Sequence, residues 1–154
     1  MSRISFTDIV QKAYGSFYDT TTQAATSANT AYPITLNTTD LSNGVTVNSS
    51  SITFLQDGIY NVQWSAQTGD TGTANYKFWL KKNGQNLFGT TGTISVTNQD
   101  HYALPAWNYF VNLNANDVLQ FYWQSDSNSA SLVYAASAGN YPSCFSMIVT
   151  AVQI

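Results

Sequence analysis

The side chains able to do acid, base or nucleophilic work are few and scattered. The chain holds one histidine, His101, one cysteine, Cys144, and eight acids. Asp100 precedes His101 and Ser95 lies just upstream, so a nucleophile, a base and an orienting carboxylate can be named. That chemistry requires the carboxylate to hydrogen-bond the imidazole that takes the serine proton. Neighbouring residues of an extended chain point to opposite sides, so Asp100 is badly placed to orient His101, which is expected in an exposed loop. Cys144 has no local nucleophile signature, and a cysteine in a buried strand usually serves as a small hydrophobe. Zinc needs several Cys or His, which the chain lacks. Asp70, Asp117 and Asp126 fall in turn-like stretches where calcium is conceivable, yet no clustered D-x-D-x-D loop appears. The scattered acids offer no carboxylate pair for glycoside hydrolysis. The expectation is a protein that is not an enzyme, with no metal and no cofactor.

The elements that position these residues read as strands. From Ile59 to Gln67 the sequence alternates, with Tyr60, Val62, Trp64 and Ala66 on one side and Asn61, Gln63 and Ser65 on the other, the two-residue period of a half-buried strand. Gln56-Asp57-Gly58 feeds it as a turn, and Asn83-Gly84 is a strong two-residue hairpin signal. Strands are thus predicted over 52–55, 59–67 and 74–82. Others follow at 14–18, around 34–36, at 45–47, near 94–96, at 106–113 and at 118–124. Trp107, Tyr109, Val111 and Leu113 share one side of the 106–113 strand, with Asn108, Phe110 and Asn112 on the other; Leu119, Phe121 and Trp123 form the core side of the next. A last strand, 143–152, carries apolar residues on both sides of its C-terminal half, so it is expected inside a sandwich or against a partner subunit. About ten short strands with Asn, Asp, Gly and Pro turns predict an all-β, two-sheet antiparallel jelly-roll sandwich over 14–154, preceded by a short N-terminal arm, 1–13. The arm holds Arg3, Ile4, Phe6, Ile9 and Val10, which fit neither a strand nor a helical stripe. It reads as a frayed tail or short helix, or more sharply as a docking arm.

Composition narrows the function classes. At 154 residues the chain fits one domain and buries roughly two thirds of its unfolded surface, so no disulfide or metal staple is required. Charged residues make up only 8% of it, with aromatics at 14% and a net charge of -3. Five cations, none clustered for phosphates, argue against nucleic acid. A charge-poor polar surface weakens colloidal repulsion and suits a part packed within an assembly. The N-terminus has no apolar run of signal-peptide length, and nothing later is long enough to span a bilayer, so no membrane partner is expected. The expected site of synthesis is a cytoplasm, with export by assembly or lysis.

Four pieces in order resemble the C1q/TNF-like jelly-roll superfamily: Phe54-x-x-x-Gly58-x-Tyr60-x-Val62; Phe78-Trp79-Leu80-Lys81-Lys82-Asn83-Gly84; Leu113-x-x-x-Asp117-x-Leu119-x-Phe121; and Pro142-Ser143-x-Phe145-Ser146. The resemblance spans 13–154, and the Gly usual before the Asp of the third piece is Asn116 here. It implies a tight threefold trimer in which one sheet turns its outer face to the axis. By position it places Asn61, Gln63, Phe110, Ile148 and Thr150 near that axis, with Cys144 close by. Free-standing Asn/Thr/Ser-rich domains of this kind also resemble structural proteins of tailed bacteriophages. The expected function is therefore a virion structural protein: a homotrimeric capsid decoration, or cement, protein that binds the shell surface and stabilises it. Its expected partners are itself and the major capsid protein or another virion protein, reached through the arm, and its location is the virion surface. The alternatives are a trimeric fibre head that binds a receptor or glycan, with Tyr102, Trp107 or Tyr141 as stacking candidates, and, behind both, a secreted C1q/TNF-like ligand.

Overall fold

A computed structural model describes residues 11–97 and 102–154. The predicted arm residues Arg3, Ile4, Phe6, Ile9 and Val10 lie outside the described residues, as do Asp100 and His101. In chain order the strands are β1 (Tyr14–Asp19), β2 (Gln23–Ala24), β3 (Tyr32–Pro33), β4 (Thr38–Asn43), β5 (Val45–Asn48) and β6 (Ser51–Phe54). The central ones are β7 (Gly58–Ala66), β8 (Thr68–Gly69), β9 (Ala74–Lys82), β10 (Gln85–Asn86) and β11 (Gly92–Val96). They are followed by β12 (Tyr102–Ala103), β13 (Ala106–Leu113), β14 (Val118–Ser125), β15 (Ser131–Leu132) and β16 (Met147–Gln153). Six of these sixteen are two residues long, so ten strands of four residues or more carry the architecture.

Two antiparallel sheets face each other. One has the order β13-β7-β16-β1-β4; the other runs β10-β9-β14-β6-β5, with β11 also on β9 and β3 also on β14. Their inner faces are the periodic apolar positions of the sequence. Tyr60, Val62, Trp64 and Ala66 of β7 are all buried, as are Tyr76, Phe78 and Leu80 of β9 and Leu119, Phe121 and Trp123 of β14. Trp64 bridges the layers, its ring 5.0 Å from Phe78 and 6.0 Å from Phe121, while Tyr76 stacks on Trp123 at 5.8 Å. Such contacts add about 0.5–1.5 kcal/mol each beyond simple burial.

The turns explain why the family-like pieces recur together. Asn83 and Gly84 both take positive φ, 49° and 80°, as a type I′ hairpin demands. Asp117 then ties that hairpin to its neighbour. It accepts a hydrogen bond from Asn83 Nδ2 at 2.7 Å, another from Asn114 N at 2.8 Å, and pairs with Lys82 Nζ at 2.7 Å. Lys82 holds its carboxyl well below the ordinary range, at about 2, with the Asn83 and Asn114 bonds adding to the effect. Asn116, standing where glycine is usual, adopts φ 69°, a region that Asn tolerates better than most side chains. Gly58, at φ 148°, leaves room for Gln153, whose amide donates to Asp57 O and accepts from Ala13 N. One side chain thus joins the start of β7, the end of β16 and the residue before β1.

Three local expectations are corrected. The strand predicted around 34–36 is a crossover. Ile34 N bonds Phe121 O in one sheet and Leu36 N bonds Ser49 O, after which β4 pairs with β1 in the other sheet. Ile34 and Leu36 are buried without being strand. The last strand begins at Met147, because Ser146 and Met147 are both buried and break the alternation assumed from 143. Phe145 instead stacks on Tyr18 at 4.0 Å. Finally, the polar loop after β1 and the aperiodic stretch after residue 131 contribute to a small third sheet, β12-β8-β15-β2, which caps one end of the sandwich. Two-residue strands are too short to show a period.

Candidate functional site

The outer face of β13, β7 and β16 is the most unusual surface among the described residues. Three cross-strand rows define it. Ala106 faces Ser65, which faces Ile148; Asn108 faces Gln63, which faces Thr150; Phe110 faces Asn61, which faces Val152. Ile59 and Ile154 extend the last row at one end, joined through Ile154 N to Ile59 O at 2.9 Å. None of these side chains is charged. Phe110 is 65% exposed, Val152 48% and Ile148 38%, and the isoleucines at 59 and 154 are also exposed. Leaving a large apolar side chain in water forgoes about 1.5–3 kcal/mol of burial. Asn61 Oδ1, in the middle of this apolar row, is shielded from solvent and has no hydrogen-bond partner. Near the opposite end a shallow hollow opens between Gln63, Ser65, Trp107, Asn108, Ile148 and Thr150.

Of the six residues named from sequence, the structure brings five together on this face: Asn61, Gln63, Phe110, Ile148 and Thr150. Cys144 is not among them. It sits in the segment before β16, bridged to Ala135, and burial pushes its thiol up, away from the thiolate. Ile59, Val152 and Ile154 complete the face and were not singled out. The same alternation that exposed Asn61 and Gln63 places Ile59 beside them, so the signal was present. Trp107, expected on the core side, is half-exposed because it stacks on Tyr109 at the sheet edge, against Gly92.

Among the described residues, Ser95, Asp70, Asp117 and Asp126 are engaged structurally. Ser95 Oγ donates to Asn75 Oδ1. Burial alone would push the Asp70 carboxyl up, but bonds from Ser129 Oγ at 2.7 Å and Gly72 N at 2.9 Å outweigh it and leave the group lowered. Asp126 is lowered by Asn75, whose backbone N donates at 2.8 Å. Asp70, Asp117 and Asp126 therefore cap separate turns, and among the described residues no three His, Cys, Asp or Glu side chains converge as metal ligands. Among the same residues no helix is long and apolar enough to cross a membrane.

No protein-family model and no curated protein sequence matches the chain. Solved structures do. Murine APRIL at pH 5.0 aligns with a TM-score of 0.63 and 13% identity over 94% of this chain and 100% of that one. Murine APRIL at pH 8.5 gives 0.60 and 11% over the same shares. The globular domain of zebrafish complement 1qA protein gives 0.53 and 13%, covering 94% of this chain and 98% of its own. At such identities the likeness is one of fold, and the chain has the C1q/TNF-like jelly-roll fold.

Proposed function

We propose that this protein is a homotrimeric structural module of the virion, a decoration protein that binds a capsid surface and stabilises the shell. The observation that carries the self-association is the uncharged outer face of β13, β7 and β16, with exposed Phe110, Ile148 and Val152 around the unpartnered Asn61 Oδ1. A monomer leaves this surface wet, whereas a closed threefold ring covers it in every copy. The C1q/TNF-like fold supports the same geometry. The assignment to a capsid rests on the resemblance to phage structural domains and on the charge-poor composition, 8% charged residues, which suits packing in an array. In this reading the segment 1–13 tethers the trimer to the shell. Purified particles test it. Hundreds of copies per particle, with loss of particle stability but normal host adsorption when the gene is deleted, is the expected result; a few dozen copies or fewer, with lost adsorption, overturns it.

The second reading, a fibre head that binds a glycan, is supported by a different surface. On the outer face of β9 and β14, Trp79 stacks on Tyr122 at 5.8 Å and its indole N–H is fixed on Asn86 Oδ1 at 3.1 Å. Flanked by Gln124 and Lys77, this pair offers aromatic surface beside amide and amine groups.

A further inference from the structure

A threefold ring is built from heterologous contacts, so the uncharged face of one copy must meet a different patch on the next. We infer that this second patch is the tip of the loop between β10 and β11, with Phe88 as the side chain that inserts between subunits. The inference rests on the trimeric reading and names the contact that closes it.

Phe88 is fully exposed, at 101%. It does not belong to a frayed loop, because the chain is pinned on both sides of it. Leu87 N bonds Leu80 O at 2.9 Å, and the buried Thr90 accepts from Leu80 N at 3.1 Å while donating to Leu87 O at 2.8 Å. Tyr109 OH donates to Thr90 O at 2.9 Å, which fastens the loop to β13. Gly89, at φ 77°, makes the turn between the two anchors. The ring is therefore held out into solvent by a rigid base. An aromatic side chain has only two χ angles to freeze on binding, and on an anchored backbone it is a frequent interface anchor.

Position selects the partner. Phe88 rises beside the open edge of β13 and shares a groove with Tyr109, Phe110 and Val111. The groove is continuous with the uncharged face, since Asn108, Phe110 and Asn112 border both. Its one charged neighbour, Lys82, is already paired with Asp117. Phe88 and Phe110 line the same groove, and Phe110 opens the row that continues through Asn61 to Val152. In the proposed ring Phe88 meets this row on the next copy, flanked by Ile59 and Ile154. This is the apolar end of the face, away from the hollow at Trp107 and Ile148.

Two experiments test the contact. In sedimentation of the full chain, Phe88→Ser is expected to raise the concentration at which the trimer dissociates on the order of 30-fold or more, with Phe88→Leu restoring most of the loss. Because the side chain touches no core residue, the circular dichroism melt of dilute Phe88→Ser serves as the check on folding. In a Cys144→Ala background, Phe88→Cys combined with Val152→Cys is expected to give disulfide-linked dimers and trimers on oxidation, whereas Phe88→Cys with Ile148→Cys gives monomer. A native trimer that Phe88→Ser leaves undisturbed, or cross-linking only at position 148, overturns the contact while sparing the trimer. A native chain that sediments as a single molecule overturns both.

Discussion

The two outer faces of the sandwich are built from strands of similar length and share one backbone plan, yet they differ in chemistry. The face of β13, β7 and β16 carries no charged side chain of its own and exposes Phe110, Ile148 and Val152. Lys12 Nζ reaches it only at the Ile154 edge, where it donates to Ile154 O at 3.1 Å. The face of β9 and β14 carries Lys77 and Lys81, with Lys81 Nζ 4.1 Å over the Tyr122 ring, and its aromatics are paired with one another. One surface leaves its apolar groups and one amide oxygen unmatched; the other satisfies them within the chain. In a protein with only 8% charged residues, the placement of the few charges tells which surface is meant for water.

The sharpest way to break this comparison is to move a charge across it. Phe110→Asp places a carboxylate in each buried contact of a ring, and desolvation of that charge costs several kcal/mol per copy. Association is expected to weaken by about 1,000-fold, read by light scattering, while Gln124→Asp on the opposite face leaves the mass unchanged. Equal effects of the two substitutions contradict the assignment of the faces.

A smaller effect belongs to the turn that both sheets share. Asp117→Ala removes a charged partner from Lys82, Asn83 and Asn114 and is expected to cost about 2 kcal/mol in urea unfolding, with no change in oligomeric mass. The folded carboxyl titrates at about 2 against an ordinary 3.8, so its stabilisation is complete above the ordinary value and is lost as pH falls towards about 2. The native and Asp117→Ala proteins are therefore expected to differ at neutral pH and converge in strong acid. A difference that persists unchanged at about pH 2 contradicts the role given to this ion pair.

The least effect is expected on the solvated face. Trp79→Ala removes one cross-strand aromatic pair and is expected to lower stability by about 0.5–1 kcal/mol without altering assembly. Loss of the trimer in this variant means that the second face, and not the first, is covered.

Sequence alternation sufficed for the long strands because β7, β9, β13 and β14 are packed on one side only, which writes burial directly into a two-residue period. The grouping of Asn61, Gln63, Phe110, Ile148 and Thr150 came from the resemblance to the C1q/TNF-like superfamily, and the cross-strand register sets them on one face; alternation by itself gave only the outward side of each strand. It failed where burial had another cause. Ile34 and Leu36 are buried in a crossover, Ser146 breaks the pattern before β16, and the strands of the third sheet are two residues long. Phe88 left no signal at all. A single aromatic in a turn is indistinguishable by sequence from a core residue, and only the anchored Leu87 and Thr90 on either side show that it points outward.

The mass of the full chain in solution tests the central claim most directly. Light scattering at micromolar concentration is expected to give three times the chain mass of 16.8 kDa. A single-chain mass at that concentration contradicts the account.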